Sequence, residues 1–170
     1  MTESHENWKT CFAQLASPLL LFARQWATSH ADAEDIVQDA FVRFWKREGA
    51  YTEKNRGLLF ATVRSTALDF LRSSGRRRQR EQMAFADDPD LVEPRFEPDG
   101  AVANEELANA VERLPAALRE VLVLKIWNDL TFKEIAAVLE LSQNTAASRY
   151  RYALESIRQE LAAHEIRPTF

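Results

Sequence analysis

The sequence predicts an all-α protein of two small helical domains, joined by an acidic flexible linker. Only four Gly and six Pro occur in 170 residues, and 46% of the residues are hydrophobic, which suits helices around a buried core. Apolar residues recur every three or four positions in both halves. Residues 81–101 instead hold seven acids and three Pro without a helical period. The predicted domains are therefore residues 1–80 and 102–170.

Composition excludes several classes of protein. A single cysteine, Cys11, allows no internal disulfide framework and no multi-cysteine zinc site, and the three His are scattered. We therefore expect no metal and no cofactor. The longest apolar run, residues 19–23, is far shorter than a membrane span. These features predict a cytoplasmic protein without membrane insertion.

A net charge of −4 conceals a strongly basic segment. Residues 54–80 carry eight Lys or Arg and one acid, Asp69. Such a concentration of positive charge is typical of a site for a polyanion. The alternative is a solvated helix end that continues into a basic tail.

The first helix is predicted over residues 8–28, where Pro18 predicts a kink or a division into two helices. Its expected buried face comprises Phe12, Leu15, Leu19, Phe22 and Trp26.

A second helix is predicted to begin at Ser29, with Asp32 at the spacing of a capping box. Its expected buried face comprises Ile36, Val37, Ala40, Phe41, Phe44 and Trp45. The opposite face carries a row that we call the acidic stripe: Asp32, Asp35, Gln38, Asp39 and Val42.

Three interpretations of the acidic stripe are open. Carboxylates near a helix N-terminus are stabilised by the helix dipole without any further function. Asp35 and Asp39 lie one turn apart and could bind a divalent cation, although no other ligand cluster supports this. The third interpretation is a docking face for a partner, because Gln38 and Val42 extend the stripe beyond the first turn.

The third helix is predicted over about residues 57–73. Arg56, Arg64 and Arg72 recur every eight residues and form a slowly drifting basic edge. The inward positions are expected to be Leu59, Val63, Thr66, Ala67, Phe70 and Leu71.

A polar loop at residues 48–56 precedes this helix and carries Tyr51, Lys54 and Asn55. An aromatic ring and amide groups beside a basic edge suit single-stranded nucleic acid. The alternative is an ordinary surface loop.

The C-terminal half has the pattern of a helix-turn-helix. Pro115 is expected at the first position of a helix that runs to about residue 127. Thr131 and Glu134 predict a capping box at the start of a short helix, and Ser142 is expected to cap a long final helix. The expected inward positions of that helix are Ala146, Tyr150, Ala153, Ile157 and Leu161.

The outward face of the final helix is predicted to be Gln143, Asn144, Ala147, Ser148 and Arg151, with Arg149 flanking it. Asn and Gln can pair with adenine, Arg with guanine, and the Ala147 methyl can meet a thymine methyl. Arg149 could equally bind a phosphate. A plain helical bundle is the alternative.

Taken together, these segments resemble bacterial extracytoplasmic-function sigma factors. Residues 32–45 (DAEDIVQDAFVRFW) resemble the family's region-two helix, and Arg64, Asp69 and Arg72, followed by the basic run 76–78, resemble the end of that region.

The second half carries the other part of the resemblance. Residues 114–124, 131–139 (TFKEIAAVL) and 144–149 (NTAASR) resemble region four. The likeness covers residues 10–80 and 102–162 in the family's order.

This resemblance implies a non-enzymatic promoter-specificity subunit that binds core RNA polymerase and promoter DNA, with no catalytic residue. It assigns core-polymerase docking to Asp32, Asp35, Gln38, Asp39 and Val42. It assigns the unpaired minus-ten element to Tyr51, Lys54, Asn55, Arg56, Arg64, Ser65 and Arg72. It assigns the minus-thirty-five element to Gln143, Asn144, Ala147, Ser148, Arg149 and Arg151. The acidic linker would thread polymerase channels, and an anti-sigma partner is left open.

The sequence departs from the family in a few places. Glu140 stands where Gly is common, so the turn is expected either to tolerate a side chain or to avoid a positive φ. Ala146 replaces a usual Val, and Ser65 replaces a frequent Asn. Residues 150–152 (YRY) form an unusual aromatic-basic run.

Two other functions compete. A stand-alone helix-turn-helix regulator with an N-terminal effector or dimerisation domain shares the C-terminal half, but it leaves the acidic stripe without a role. A metal-dependent nuclease using Asp32, Asp35 and Asp39 would lack a His or Lys partner set.

Overall fold

A computed structural model of the chain describes residues 2–82 and 105–165. It describes the side chains of residues 8–77 and 105–164. This part of the chain is helical and contains no strand, which confirms the all-α prediction. The helices are α1 (Thr2–Ala23), α2 (His30–Glu48), α3 (Arg56–Gln82), α4 (Glu105–Arg113), α5 (Ala116–Ile126), α6 (Phe132–Leu139) and α7 (Gln143–Glu165). A short 3-10 turn, Glu53–Asn55, precedes α3.

The chain divides into two compact units between Arg95 and Phe96, a point inside the predicted linker. Residues 81 and 82, where that linker was expected to begin, belong to α3. The remainder of the linker prediction lies outside the described residues.

In the first unit, α1, α2 and α3 pack around a core rich in aromatic residues. Pro18 lies inside α1, which continues through it, so of the two alternatives the structure excludes the division into two helices. The centre of the core contains Phe22, Phe41, Phe44 and Phe60, each 1% exposed or less. Phe60 was not among the residues predicted to be buried.

Five side chains predicted to be buried in the first unit are not fully covered: Phe12, Leu15, Trp45, Phe70 and Leu71. Leu71 is 38% exposed, and Trp45 is only partly buried. The Trp45 ring stacks on Phe41 at 6.1 Å and meets Trp8 edge-on at 6.5 Å. Periodicity placed Trp45 on the inward half of α2, but the elements around it cover only part of its indole.

Truncation of Trp45 should therefore destabilise the protein less than the roughly 3–5 kcal/mol that removal of a fully buried aromatic costs. We expect Trp45→Ala to lower the free energy of unfolding of the first unit by about 2 kcal/mol, through lost contact with Phe41 and Trp8. Urea titration followed by circular dichroism measures the difference. A loss above about 4 kcal/mol would mean that Trp45 is fully buried in solution.

In the second unit, α7 packs against α4, α5 and α6. Leu122, Leu124, Leu130 and Ile135 are fully buried at its centre. Pro115, predicted at the first helical position, is instead the N-cap residue of α5, and the helix begins one residue later at Ala116.

The helix-turn-helix elements form as expected. The backbone N–H of Thr131 donates to Glu134 Oε2 at 2.7 Å, and the Glu134 N–H donates to Thr131 Oγ1 at 3.2 Å, which completes the capping box. Ser142 Oγ accepts the N–H of Thr145 at 3.0 Å at the start of α7. These local bonds set where α6 and α7 begin.

Glu140 ends α6 in the left-handed conformation, with φ 56° and ψ 47°. Of the two expectations for this turn, the structure has the first: the turn holds a side chain at positive φ. The N–H of Leu141 donates to the Ala136 carbonyl at 2.9 Å and closes the helix end.

Replacement of Glu140 by Gly should stabilise the second unit by about 1 kcal/mol, because Gly adopts positive φ without steric cost. The measurement is thermal unfolding of the full chain. The matched control is Ala137→Gly, at an exposed position inside α6, which should instead cost about 1 kcal/mol. Destabilisation by both substitutions would contradict the expectation.

Candidate functional site

The acidic stripe is exposed along α2. Asp32 stands at its start, where its backbone N–H donates to Ser29 Oγ at 3.1 Å and its carboxylate accepts from the Thr28 hydroxyl. The predicted N-cap is thus confirmed, although the Asp32 carboxylate bonds to Thr28. Asp32 is half-buried, whereas Asp35, Gln38 and Asp39 are exposed.

Val42 completes the stripe and is 42% exposed. From Asp32 to Val42 the stripe spans about 15 Å, or roughly three turns of helix. The helix dipole acts on the first turn only. The helix dipole therefore explains the position of Asp32. It does not explain why the other residues of the stripe are exposed.

A row of ion pairs connects the stripe to α3, and we call it the ion-pair ladder. Asp39 Oδ2 lies 2.8 Å from Arg43 Nη2, Arg43 Nη1 lies 3.5 Å from Asp69 Oδ2, and Asp69 Oδ1 lies 3.2 Å from Arg72 Nη1. All four side chains line one groove between α2 and α3. The ladder joins a residue assigned to polymerase with a residue assigned to DNA.

Sequence reasoning did not single out Arg43. Its spacing from Asp39, four residues on a helix, is visible in the sequence and favours an ion pair. Its contact with Asp69, 26 residues away, depends on the packing of α2 against α3.

Arg43 also bears on the cation hypothesis for the stripe. A cation between Asp35 and Asp39 would compete with the Arg43 guanidinium that already contacts Asp39. Among the side chains described, no three His, Cys, Asp or Glu residues form a group that could hold a metal ion.

The loop before α3 is shaped by Asn55. Its amide oxygen accepts the N–H of Thr52 at 2.8 Å, and its amide nitrogen donates to the Ala50 carbonyl at 2.9 Å. Both ends of this side chain are therefore used to fold the loop. Lys54 is exposed and Tyr51 is half-buried. The DNA contact that the resemblance implies for Asn55 stays a prediction.

The solvent exposure of the basic edge of α3 increases along the helix. Arg56 and Arg64 are half-buried, while Ser65, Arg72, Arg76 and Arg77 are exposed. The positive charge therefore reaches solvent mainly in the C-terminal half of α3. That half continues nine residues beyond the predicted end of the helix.

The N-terminal turns of α7 present the residues predicted to contact the major groove. Gln143, Asn144 and Arg151 are exposed, and Arg151 Nη2 donates to Ser148 Oγ at 3.3 Å. The others predicted for this face, Ala147, Ser148 and Arg149, are half-buried. Tyr150 packs towards α6, with its ring 5.6 Å from that of Phe132.

One acidic group on the same side of α7 was not anticipated. Glu155 accepts hydrogen bonds from Arg158 at 2.7 Å and from Gln159 at 3.0 Å. These bonds, that from Arg158 first, hold the pKa of Glu155 below its usual value. The carboxylate is thus ionised and paired one turn beyond Arg151.

Comparison with known families matches both units. The model of Sigma-70 region 2 matches residues 11–77, and that of Sigma-70 region 4 matches residues 104–157. The chain belongs to the extracytoplasmic-function sigma factors.

Individual relatives agree with this assignment. The sigma factor is 27% identical over 160 residues to the ECF RNA polymerase sigma factor RpoE of Cereibacter sphaeroides, covering 89% of this chain and 84% of that protein. Its fold is similar to that of sigma factor RpoE from Bartonella quintana, solved with the anti-sigma factor NepR (TM-score 0.69, 22% identity, 92% and 98% of the two chains). It is also similar to CnrH, solved with the cytosolic domain of CnrY (TM-score 0.62, 25% identity, 92% and 88%).

This family assignment decides between the competing functions. A sigma factor is a non-enzymatic subunit that binds core RNA polymerase and directs it to promoter DNA. A stand-alone regulator would account for region 4 and leave the match to region 2 without a role. Within the described residues, none of the helices combines the length and apolar character needed to cross a bilayer.

Proposed function

We propose that this sigma factor docks on core RNA polymerase through the acidic stripe of α2. The observation that carries the proposal is the exposure of Asp35, Gln38, Asp39 and Val42 over about two turns. Exposed carboxylates attract a basic partner surface, and an exposed Val at the end of the row adds apolar contact. Asp32 lies at the edge of this surface, because its carboxylate is engaged by Thr28.

The loop at residues 48–56 and α3 are proposed to bind the opened minus-ten element. Lys54 and Arg72 are exposed and can pair with phosphates, and Tyr51 offers a ring for base stacking. Ser65 is exposed beside Arg64, and Arg56 lies at the start of α3. Asn55 acts here as a positioning residue that folds the loop.

For the minus-thirty-five element, α7 is proposed to enter the major groove with its N-terminal turns. Gln143, Asn144 and Arg151 are its exposed polar side chains and can read base edges. Arg149 is proposed to bind a phosphate. Ala147 and Ser148 lie on the helix surface between Asn144 and Arg149. Glu155, one turn beyond Arg151, is paired with Arg158 and Gln159, which offsets its negative charge beside the proposed DNA surface.

The remaining assignments concern location and regulation. We place the protein in the cytoplasm, where its polymerase partner acts. An anti-sigma factor is a further partner suggested by the relatives, since the Bartonella quintana RpoE was solved with NepR.

A reconstituted transcription assay tests the proposed function. The purified chain is mixed with core polymerase and fragmented genomic DNA, and the transcripts are mapped. We expect transcripts whose start sites share two upstream elements, and none from core polymerase alone. Duplex DNA binding by the isolated chain, with no change in transcription when core polymerase is present, would overturn the proposal.

A further inference from the structure

Tyr152 is the most exposed of the large hydrophobic side chains among the described residues, at 67%. It lies on α7, two residues after Tyr150, whose ring is half-buried against Phe132. The two tyrosines of the YRY run therefore differ in role. Tyr150 holds α7 to α6, whereas the packing of the second unit leaves Tyr152 open.

The position of Tyr152 on α7 is set by helix geometry. At about 100° per residue, Tyr152 lies about 40° around the axis from Ser148 and about 100° from Arg151. The buried Ala146 and Ala153 mark the opposite, inward side of the helix. Tyr152 thus stands on the flank of the face proposed to enter the major groove.

Flank and centre of such a helix meet different parts of DNA. The centre faces base edges, and the flanks face the phosphate backbone that forms the groove walls. A phenol has one O–H donor, and tyrosine is among the side chains that donate to phosphate oxygens.

The neighbouring charges are compatible with an approaching phosphate. Glu155, about 60° around the axis from Tyr152, is the acid on this side of the helix. Its oxygens accept from Arg158 at 2.7 and 2.9 Å and from Gln159 at 3.0 Å. Arg158 thus offsets the carboxylate charge, and Arg151, one residue before Tyr152, adds a positive charge.

We infer that Tyr152 donates a hydrogen bond from its phenol to a phosphate on the wall of the major groove at the minus-thirty-five element. The exposed ring packs along the adjoining deoxyribose. The inference rests on the proposed role of α7. In this inference Tyr152 contributes to the affinity for DNA and to the register of α7 in the groove. Arg151 and its neighbours recognise the base sequence.

The first test compares Tyr152→Phe with the unmodified protein as holoenzyme with core polymerase. Loss of the hydroxyl should weaken promoter binding about tenfold, by similar factors on intact and altered minus-thirty-five sequences. The slope of affinity against salt should stay unchanged, because the phenol carries no charge and releases no counterion. Tyr150→Phe is the matched control: it removes the same hydroxyl from a half-buried ring that packs against Phe132, and it should leave binding unchanged.

A second test locates the contact. Single phosphates across the minus-thirty-five element are replaced in turn by methylphosphonate, and binding is measured for both proteins. At one position the replacement should weaken binding by the unmodified protein and have little further effect on Tyr152→Phe. Additive losses at every phosphate, unchanged binding by Tyr152→Phe, or a loss that depends on base identity would each overturn the inference.

Arg151→Ala, measured in parallel, separates this inference from the proposed function. Weaker binding by Arg151→Ala with normal binding by Tyr152→Phe would refute the phosphate contact and leave α7 as the recognition helix. Normal binding by both variants would refute the role of α7 and the inference with it.

Discussion

The double substitution Asp35→Arg with Asp39→Arg should abolish detectable binding to core polymerase. Both side chains are exposed in the middle of the acidic stripe, so the substitutions reverse its charge without disturbing a buried contact. Like charges across an interface cost several kcal/mol, enough to remove binding at ordinary protein concentrations. The measurement is a pull-down of purified core polymerase, with circular dichroism to establish that the variant is folded.

A charge-matched control distinguishes a specific surface from a general change in net charge. Glu48→Arg with Glu53→Arg alters the net charge of the same unit equally, at the end of α2 and in the 3-10 turn. We expect this control to bind polymerase normally. Retention of polymerase by a folded Asp35→Arg, Asp39→Arg protein would show that the stripe is not the docking surface.

The second prediction with a large expected effect concerns the two surfaces that we propose bind DNA, on α7 and on α3. Arg151→Ala should cost about 1–3 kcal/mol of promoter affinity at one base position and relax the preference there. The guanidinium lies exposed at the centre of the groove-facing side of α7 and contacts Ser148. Binding of the holoenzyme to promoter fragments altered one base at a time measures this loss.

Arg158→Ala is the control for Arg151, since Arg158 lies on the same helix with its guanidinium bound to Glu155. It should not change base preference. If Arg151→Ala weakens binding equally on every sequence, Arg151 contacts a phosphate and the readout lies elsewhere on α7.

In contrast to Arg151, Arg72 is expected to act through charge. Arg72→Ala should weaken binding to all sequences nearly uniformly and lower the salt slope by about one unit. Its pair with Asp69 leaves the guanidinium exposed, so a phosphate can still reach it. A change in promoter preference in this variant would contradict the assignment.

Much of the fold could be predicted because its signals are local. The caps at Ser29, Thr131 and Ser142 each join groups three residues apart, so a short stretch of sequence contains both partners. The apolar spacing correctly placed Phe41 and Phe44 in the core of the first unit. The same spacing left the acidic stripe facing solvent, and that part of the candidate site was therefore readable from the sequence.

The length of α3 was underestimated for a local reason as well. The helix was predicted to end near Ser73, two residues before Gly75, yet α3 continues to Gln82. One Gly inside a helix costs only about 1 kcal/mol, too little to end a helix that keeps its backbone hydrogen bonds. The Ser74 hydroxyl bonds back to the Phe70 carbonyl at 2.8 Å within the helix.

By itself, then, the sequence determined the helices other than α4, together with the caps at Ser29, Thr131 and Ser142, the two-unit organisation of the family it resembles and the outward rows on α2 and α7. The tertiary structure decided how far each side chain is covered and which distant charges meet. Periodicity assigns Trp45 and Leu71 to a face, but their exposure depends on how far the neighbouring elements extend. Arg43 meets Asp69 only because α2 packs beside α3, and a contact across 26 residues depends on packing that no local pattern encodes.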